Sequence, residues 1–146
     1  MTRHRWILTY GVALHLLWGL AILSDPSAVR TTPTYLLGQL VPNTTLLAMV
    51  LLCSSWLAAQ VVTEPVLQPK HVLFLIPQQV LMLVAAAGAL GRILVGAYAD
   101  GVLRSNQFLL VDQAPNVIAA VLQTWLLCSV LLMHIRGRLW SIPVSS

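Results

Sequence analysis

The chain has 146 residues, of which 58% are hydrophobic and only 8% charged, against roughly a quarter charged in an ordinary soluble domain. Eight basic and four acidic side chains cannot coat a globule of this size, which excludes an ordinary soluble enzyme and a disordered tail. The surplus of four positive charges is scattered or terminal, not gathered on one basic face, which excludes a nucleic-acid partner.

A transmembrane helix needs about 20 mostly apolar residues. Four stretches qualify, at about 6–24, 44–62, 72–98 and 116–135. None shows the period-2 alternation of a membrane barrel strand. The sequence therefore predicts an all-α integral membrane protein, a four-helix bundle forming one transmembrane domain over residues 1–146.

The first span begins after Arg3 and Arg5 and carries no charge from Trp6 to Ser24. Its basic start resembles a signal peptide. Its apolar core exceeds the usual length of about 7–15 residues, and Ser24-Asp25-Pro26 offers no Ala-x-Ala cleavage pattern, so the span reads as a retained helix. His15 lies deep within it. His4, His71 and His134 all map near one membrane face, so a bis-histidine haem would need a second protomer. No cofactor and no metal are expected. An apolar island at 34–41 follows, ended by Pro42, and Asn43 is a natural N-cap for span two.

Span two holds Cys53 and Gln60, and the connection 63–71 carries Glu64 and Lys70. Span three, expected to be the longest, contains Pro77-Gln78-Gln79. Two adjacent glutamines cannot both hide on one helix face, so at least one should reach a neighbouring helix. With Gln60 and Gln123 they are either interhelical hydrogen bonds or the lining of a polar path. The small-residue run 85–91, with Ala87, Gly88 and Gly91, permits close backbone approach, either within the bundle or between copies. Arg92 lies near the outer end of the span, where it is an interfacial anchor, an ion-pair partner or a functional charge.

In the next connection, Asp100 and Arg104 are spaced as an i, i+4 pair if helical, although Gly101 suits a turn equally. Asp112 closes a second apolar island at 106–112 and is a further ion-pair candidate in this connection, and Asn116 after Pro115 is placed as the N-cap of span four. That span holds Gln123 and Cys128. With no CxxC and no pair of cysteines in a connection, both cysteines should be free thiols.

The basic residues Arg3, Arg5, Lys70, Arg136 and Arg138 fall on one side of a four-span chain, and Asp25, Asp100 and Asp112 on the other. The positive-inside rule then puts both termini in the cytoplasm. Sliding the chain by 73 positions aligns Leu36-Leu37 with Leu109-Leu110 and Pro42-Asn43 with Pro115-Asn116. The halves 6–62 and 72–135 thus read as parallel helix–connection–helix repeats related by an axis along the membrane normal.

The segment Ala99-Asp100-Gly101-Val102, with Arg104, Phe108, Asp112-Gln113 and Pro115, and with Pro77-Gln78-Gln79 before it, resembles small bacteriophage-encoded membrane proteins of unassigned function. Such proteins are often described as holins, which assemble in the inner membrane and open holes. The resemblance implies a self-assembling, holin-like pore in a bacterial inner membrane. Two alternatives stand beside it: an accessory subunit of a larger membrane complex, and a small ion or solute carrier. No catalytic constellation is legible, so the expectation is a non-enzymatic protein whose partners are the lipid bilayer and either copies of itself or a larger membrane assembly.

Overall fold

The computed structural model describes the backbone of residues 3–31, 33–100 and 103–140, and the side chains of 4–30, 33–91, 94 and 114–137. Six helices occur in this part of the chain: α1 (Arg3–Ser24), α2 (Ala28–Thr31), α3 (Tyr35–Leu40), α4 (Thr44–Val62), α5 (Pro69–Asp100) and α6 (Leu103–Trp140). Four of them contain apolar stretches long enough to cross a membrane, at His4–Ser24, Thr44–Val62, Pro69–Gly91 and Ala114–Gly137. The protein is an all-helical, multi-pass membrane bundle.

Local chemistry sets the helix ends on the first half. Beyond Ser24, the Asp25 carboxylate accepts from the Ser27 N–H at 3.0 Å and from the Ser27 hydroxyl at 2.8 Å, closing a turn that stops α1. These bonds hold the Asp25 carboxyl below its ordinary pKa. The island at 34–41 becomes α3, which tucks Leu37 into the core as an apolar segment near lipid should. Asn43 caps α4, its side chain accepting from the Leu46 N–H at 3.1 Å. Pro69 opens α5, where a missing N–H costs nothing.

The second half departs from the sequence expectation. The island at 106–112 is not a separate element, and Asn116 is not a helix start. Both lie inside α6, which runs 38 residues through Pro115 and is longer than the 32 residues of α5. Proline removes one backbone hydrogen bond, and the helix tolerates this where packing supports it. Here the Tyr10 hydroxyl of α1 donates to the Pro115 carbonyl at 2.8 Å and ties the proline turn to the neighbouring helix. Asn43 and Asn116 therefore occupy different structural positions, and the two connections are not equivalent. Asp100 ends α5 and Arg104 sits in the first turn of α6, so the pair does not share a helix.

The helices form a ring in chain order. Helix α1 lies between α6 and α4, and α5 lies between α4 and α6, with the closest packing inside the hairpins α1–α4 and α5–α6. Exchanging α1 with α5 and α4 with α6 preserves these neighbours, as a parallel repeat requires and as any ring of four antiparallel helices does. One apolar cluster, including Leu8, Ala58, Leu75 and Leu127, fills the end nearest the N-terminus. Another, including Trp18, Ile22, Leu47 and Ala85, fills the opposite end under α3. Hydrocarbon offers no hydrophobic force between helices, so close packing and interhelical hydrogen bonds hold the ring together.

The small-residue run of α5 divides between two surroundings. A Cβ added at Gly88 would stand 2.7 Å from Leu36 Cβ, so this glycine lets α3 lie against α5. A Cβ added at Gly91 would meet nothing within 4 Å, and Ala87, one turn earlier, is also exposed. Gly88→Ala should therefore lower thermal stability, by about 1–3 kcal/mol as overpacking usually does. Gly91→Ala should be neutral or slightly stabilising, since alanine is the better helix former. Thermal melts of the two variants in detergent test the contrast.

Candidate functional site

Between these two apolar clusters, and beside a third formed by Met82, Ala86, Ala119 and Ala120, the ring interior turns polar. Every helix of the ring contributes: His15 from α1, Ser54 and Ser55 from α4, Gln78 and Gln79 from α5, and Gln123 from α6 are all buried. At 1.5 Å per residue from the span ends on the N-terminal side, His15, Ser54, Gln78 and Gln123 fall about 12–21 Å into a hydrocarbon layer of about 30 Å. The belt lies at mid-membrane.

Its centre is built around Gly11. A Cβ placed there would stand 3.0 Å from Gln123 Oε1, 3.4 Å from Gln78 Oε1 and 2.6 Å from Met82 Cε. The missing side chain on α1 thus makes the space into which α5 and α6 each send a carboxamide. A glutamine carboxamide offers two donor hydrogens and one oxygen with two lone pairs. Gln78 and Gln123 are both fully buried, and neither the nitrogen nor the oxygen of either finds a partner among the described residues. Leaving such a group unpaired costs about 1–3 kcal/mol by mutational measures, and more in pure hydrocarbon.

The rest of the belt is partly satisfied. The Ser54 hydroxyl donates to the Leu51 carbonyl at 2.8 Å, which leaves its oxygen to accept from His15 Nδ1 at 3.1 Å. That bond puts the imidazole proton on Nδ1 and makes buried Nε2 an acceptor, with no partner among the described residues. The His15 ring also packs against Trp18, with ring centroids 5.3 Å apart and planes tilted by 34°. The Thr124 hydroxyl donates to the Ala120 carbonyl and accepts from Gln79 Nε2, while Gln79 Oε1 has no partner among the described residues. The Ser55 hydroxyl donates to the Val12 carbonyl at 2.8 Å and joins α4 to α1. The interior therefore presents a surplus of neutral acceptors with the amide donors of two glutamines. Such a set can bind a small hydrogen-bonding solute, or strip part of the hydration from a monovalent cation through carbonyl oxygens. Among the described residues no group of three His, Cys, Asp or Glu is placed to hold a metal ion.

The residues singled out from the sequence separate accordingly. Gln78 and Gln123 come together at Gly11, and His15 lies one helical turn beyond Gly11 on the same face. Gln78 and Gln79 are both buried, on different faces of α5, and Gln79 reaches the neighbouring α6 as adjacent glutamines on one helix require. Gln60 is exposed at the end of α4, away from the belt. The side chains of Arg92, Asp100, Arg104 and Asp112 lie outside the described residues. Cys53 and Cys128 are free and exposed on the outer surface.

Sequence reasoning missed Gly11, Met82, Ser54, Ser55 and Thr124 as parts of the interior, and misplaced Asn116. The Asn116 carboxamide, inside α6, is also buried and finds no partner among the described residues. Its signal was its spacing of seven from Gln123, two turns along one helix face. Comparison of the chain with protein-family models, with curated proteins and with solved structures finds no match.

Proposed function

We propose that this chain is a non-enzymatic membrane protein that passes a small polar species, an ion or a solute, through the interior of its own bundle. One observation carries the reading: two fully buried carboxamides from different helices converge on a glycine at mid-membrane, and none of their four polar atoms has a partner among the described residues. Polar groups inside membranes are costly and tend to mark pathways. Small-solute sites commonly lie near the midplane between structural repeats, and this one draws on both hairpins. The outer surface supports an interior route, because Leu17, Trp56, Leu73 and Val121 present an apolar face to lipid. In this reading the protein sits in a bacterial inner membrane with both termini in the cytoplasm.

A second reading, the self-assembling holin-like pore, draws support from a different feature. An apolar groove of about 490 Å³ between α5 and α6 has Ala86, Ala87 and Ala120 in its lining. Small residues in a groove suit the approach of another helix.

Purified protein in liposomes separates these readings. Passage through one bundle should equilibrate small polar solutes or monovalent cations while retaining entrapped calcein. Rapid calcein release would replace this reading with the assembled pore. Absence of any flux, with stable co-purification of a larger membrane protein, would instead make the chain an accessory subunit.

A further inference from the structure

A second polar pocket opens at the end of the bundle that carries the N-terminus. It has a volume of about 300 Å³ and is lined by Gln60, Val61, Glu64, Lys70, His71 and Phe74. The apolar stretch of α4 ends at Val62 and that of α5 begins at Pro69, so the pocket straddles the membrane boundary. Its walls are fixed from behind. Arg5 donates to the Thr63 carbonyl at 3.1 Å, and His4 Nε2 to the Glu64 carbonyl at 3.2 Å. The Gln68 N–H donates to His71 Nδ1 at 3.2 Å, so a neutral His71 ring carries its proton on Nε2 as a donor.

The charge pattern of this pocket is specific. Glu64 is the one acidic residue in this connection, on a bundle end otherwise furnished with Arg3, Arg5, Lys70, Arg136 and Arg138. Glu64 and Lys70 line the same pocket but form no ion pair with each other among the described residues. A carboxylate and an ammonium held in one pocket without pairing complement a ligand that carries both charges. At a membrane boundary the ligand of that chemistry is a lipid headgroup with a primary ammonium and a phosphate diester. The ammonium can donate to Glu64, while Lys70 and the His71 ring can donate to the phosphate. Phe74, half exposed and one turn deeper in the span, offers an apolar surface to an acyl chain. A choline headgroup has no N–H for the carboxylate, and a purely anionic headgroup would meet Glu64 with like charge.

We propose that this pocket binds an ethanolamine phospholipid, its ammonium on Glu64 and its phosphate on Lys70 and His71. The test uses the full chain in vesicles of equal parts phosphatidylethanolamine, phosphatidylcholine and phosphatidylglycerol, with retained lipid counted by native mass spectrometry. Phosphatidylethanolamine should be enriched about five- to tenfold over phosphatidylcholine. Glu64→Gln should erase that preference at unchanged melting temperature. Lys70→Gln, at an exposed position, should lower retention of all three lipids and supplies an independent variant. Equal retention of the ethanolamine and choline lipids, or a preference that survives Glu64→Gln, would overturn the proposal. Millimolar free phosphoethanolamine should displace little bound lipid. Full displacement by it would overturn the lipid assignment in favour of a soluble ligand with the same charges.

Discussion

Replacing Gln78 and Gln123 together with leucine should raise the melting temperature of the protein and abolish its small-solute flux. The opposite signs follow from one cause. Four buried polar atoms have no partner among the described residues, and each such group costs about 1–3 kcal/mol. Leucine has nearly the volume of glutamine and nothing to satisfy, so the double variant should gain about 2–4 kcal/mol. Each single variant should gain roughly half. A double-mutant cycle that departs from additivity would reveal a bond between the two carboxamides. A solute that crosses the bundle needs those same atoms to replace its water shell, so the stabilised protein should be a non-conducting one. Loss of stability in the double variant would mean that the carboxamides are structural hydrogen-bonding groups, and the interior route would fall with that result.

The second large effect is at Gly11, read against Gly19. Both are on α1, and both face neighbours that a side chain would crowd. At Gly11 the atoms in the way are the ends of side chains, Met82 Cε and the two carboxamide oxygens, which can move aside. Gly11→Ala should therefore fold with little loss, offset in part by the helix propensity of alanine. Gly11→Leu should fill the space between the carboxamides and stop flux, at a cost of about 1–3 kcal/mol for overpacking. At Gly19 a Cβ would stand 2.8 Å from Leu52 Cγ and 3.3 Å from the Ala48 backbone oxygen. The backbone of α4 cannot yield there, so Gly19→Ala should cost more stability than Gly11→Ala while leaving the flux per folded protein unchanged. Melting temperatures and liposome flux, measured on the same preparations, check both halves. If the Gly19 variant lost flux while folded and the Gly11 variants did not, the conducting space would lie elsewhere.

The spans were legible because hydropathy acts over whole helices and needs no knowledge of neighbours. The Asn43 cap was legible because it is a local hydrogen bond, specified within three residues. Asn116 shows where local reasoning stops. The same Pro-Asn pair occurs at both sites, but Pro115 is held inside a helix by Tyr10, a residue 105 positions away. The interior glutamines were recognisable as polar groups in apolar spans. Their convergence was not, because it depends on Gly11, a residue that contributes by lacking a side chain. The burial of both Gln78 and Gln79 likewise depends on how many neighbours α5 acquires, which periodicity along one helix does not state.

The two hairpins also differ in reach. Helices α1 and α4 run 22 and 19 residues, and the described parts of α5 and α6 run 32 and 38. At 1.5 Å per residue these correspond to about 28–33 Å and about 48–57 Å. A hydrocarbon layer of about 30 Å matches the first hairpin, and the second must tilt within it or project beyond it. A change in bilayer thickness therefore asks different tilts of the two hairpins, which slides one against the other. The surface on which that shear acts is the seam where Gly11 faces Gln78 and Gln123, so lipid chain length becomes a mechanical input to the polar centre of the bundle.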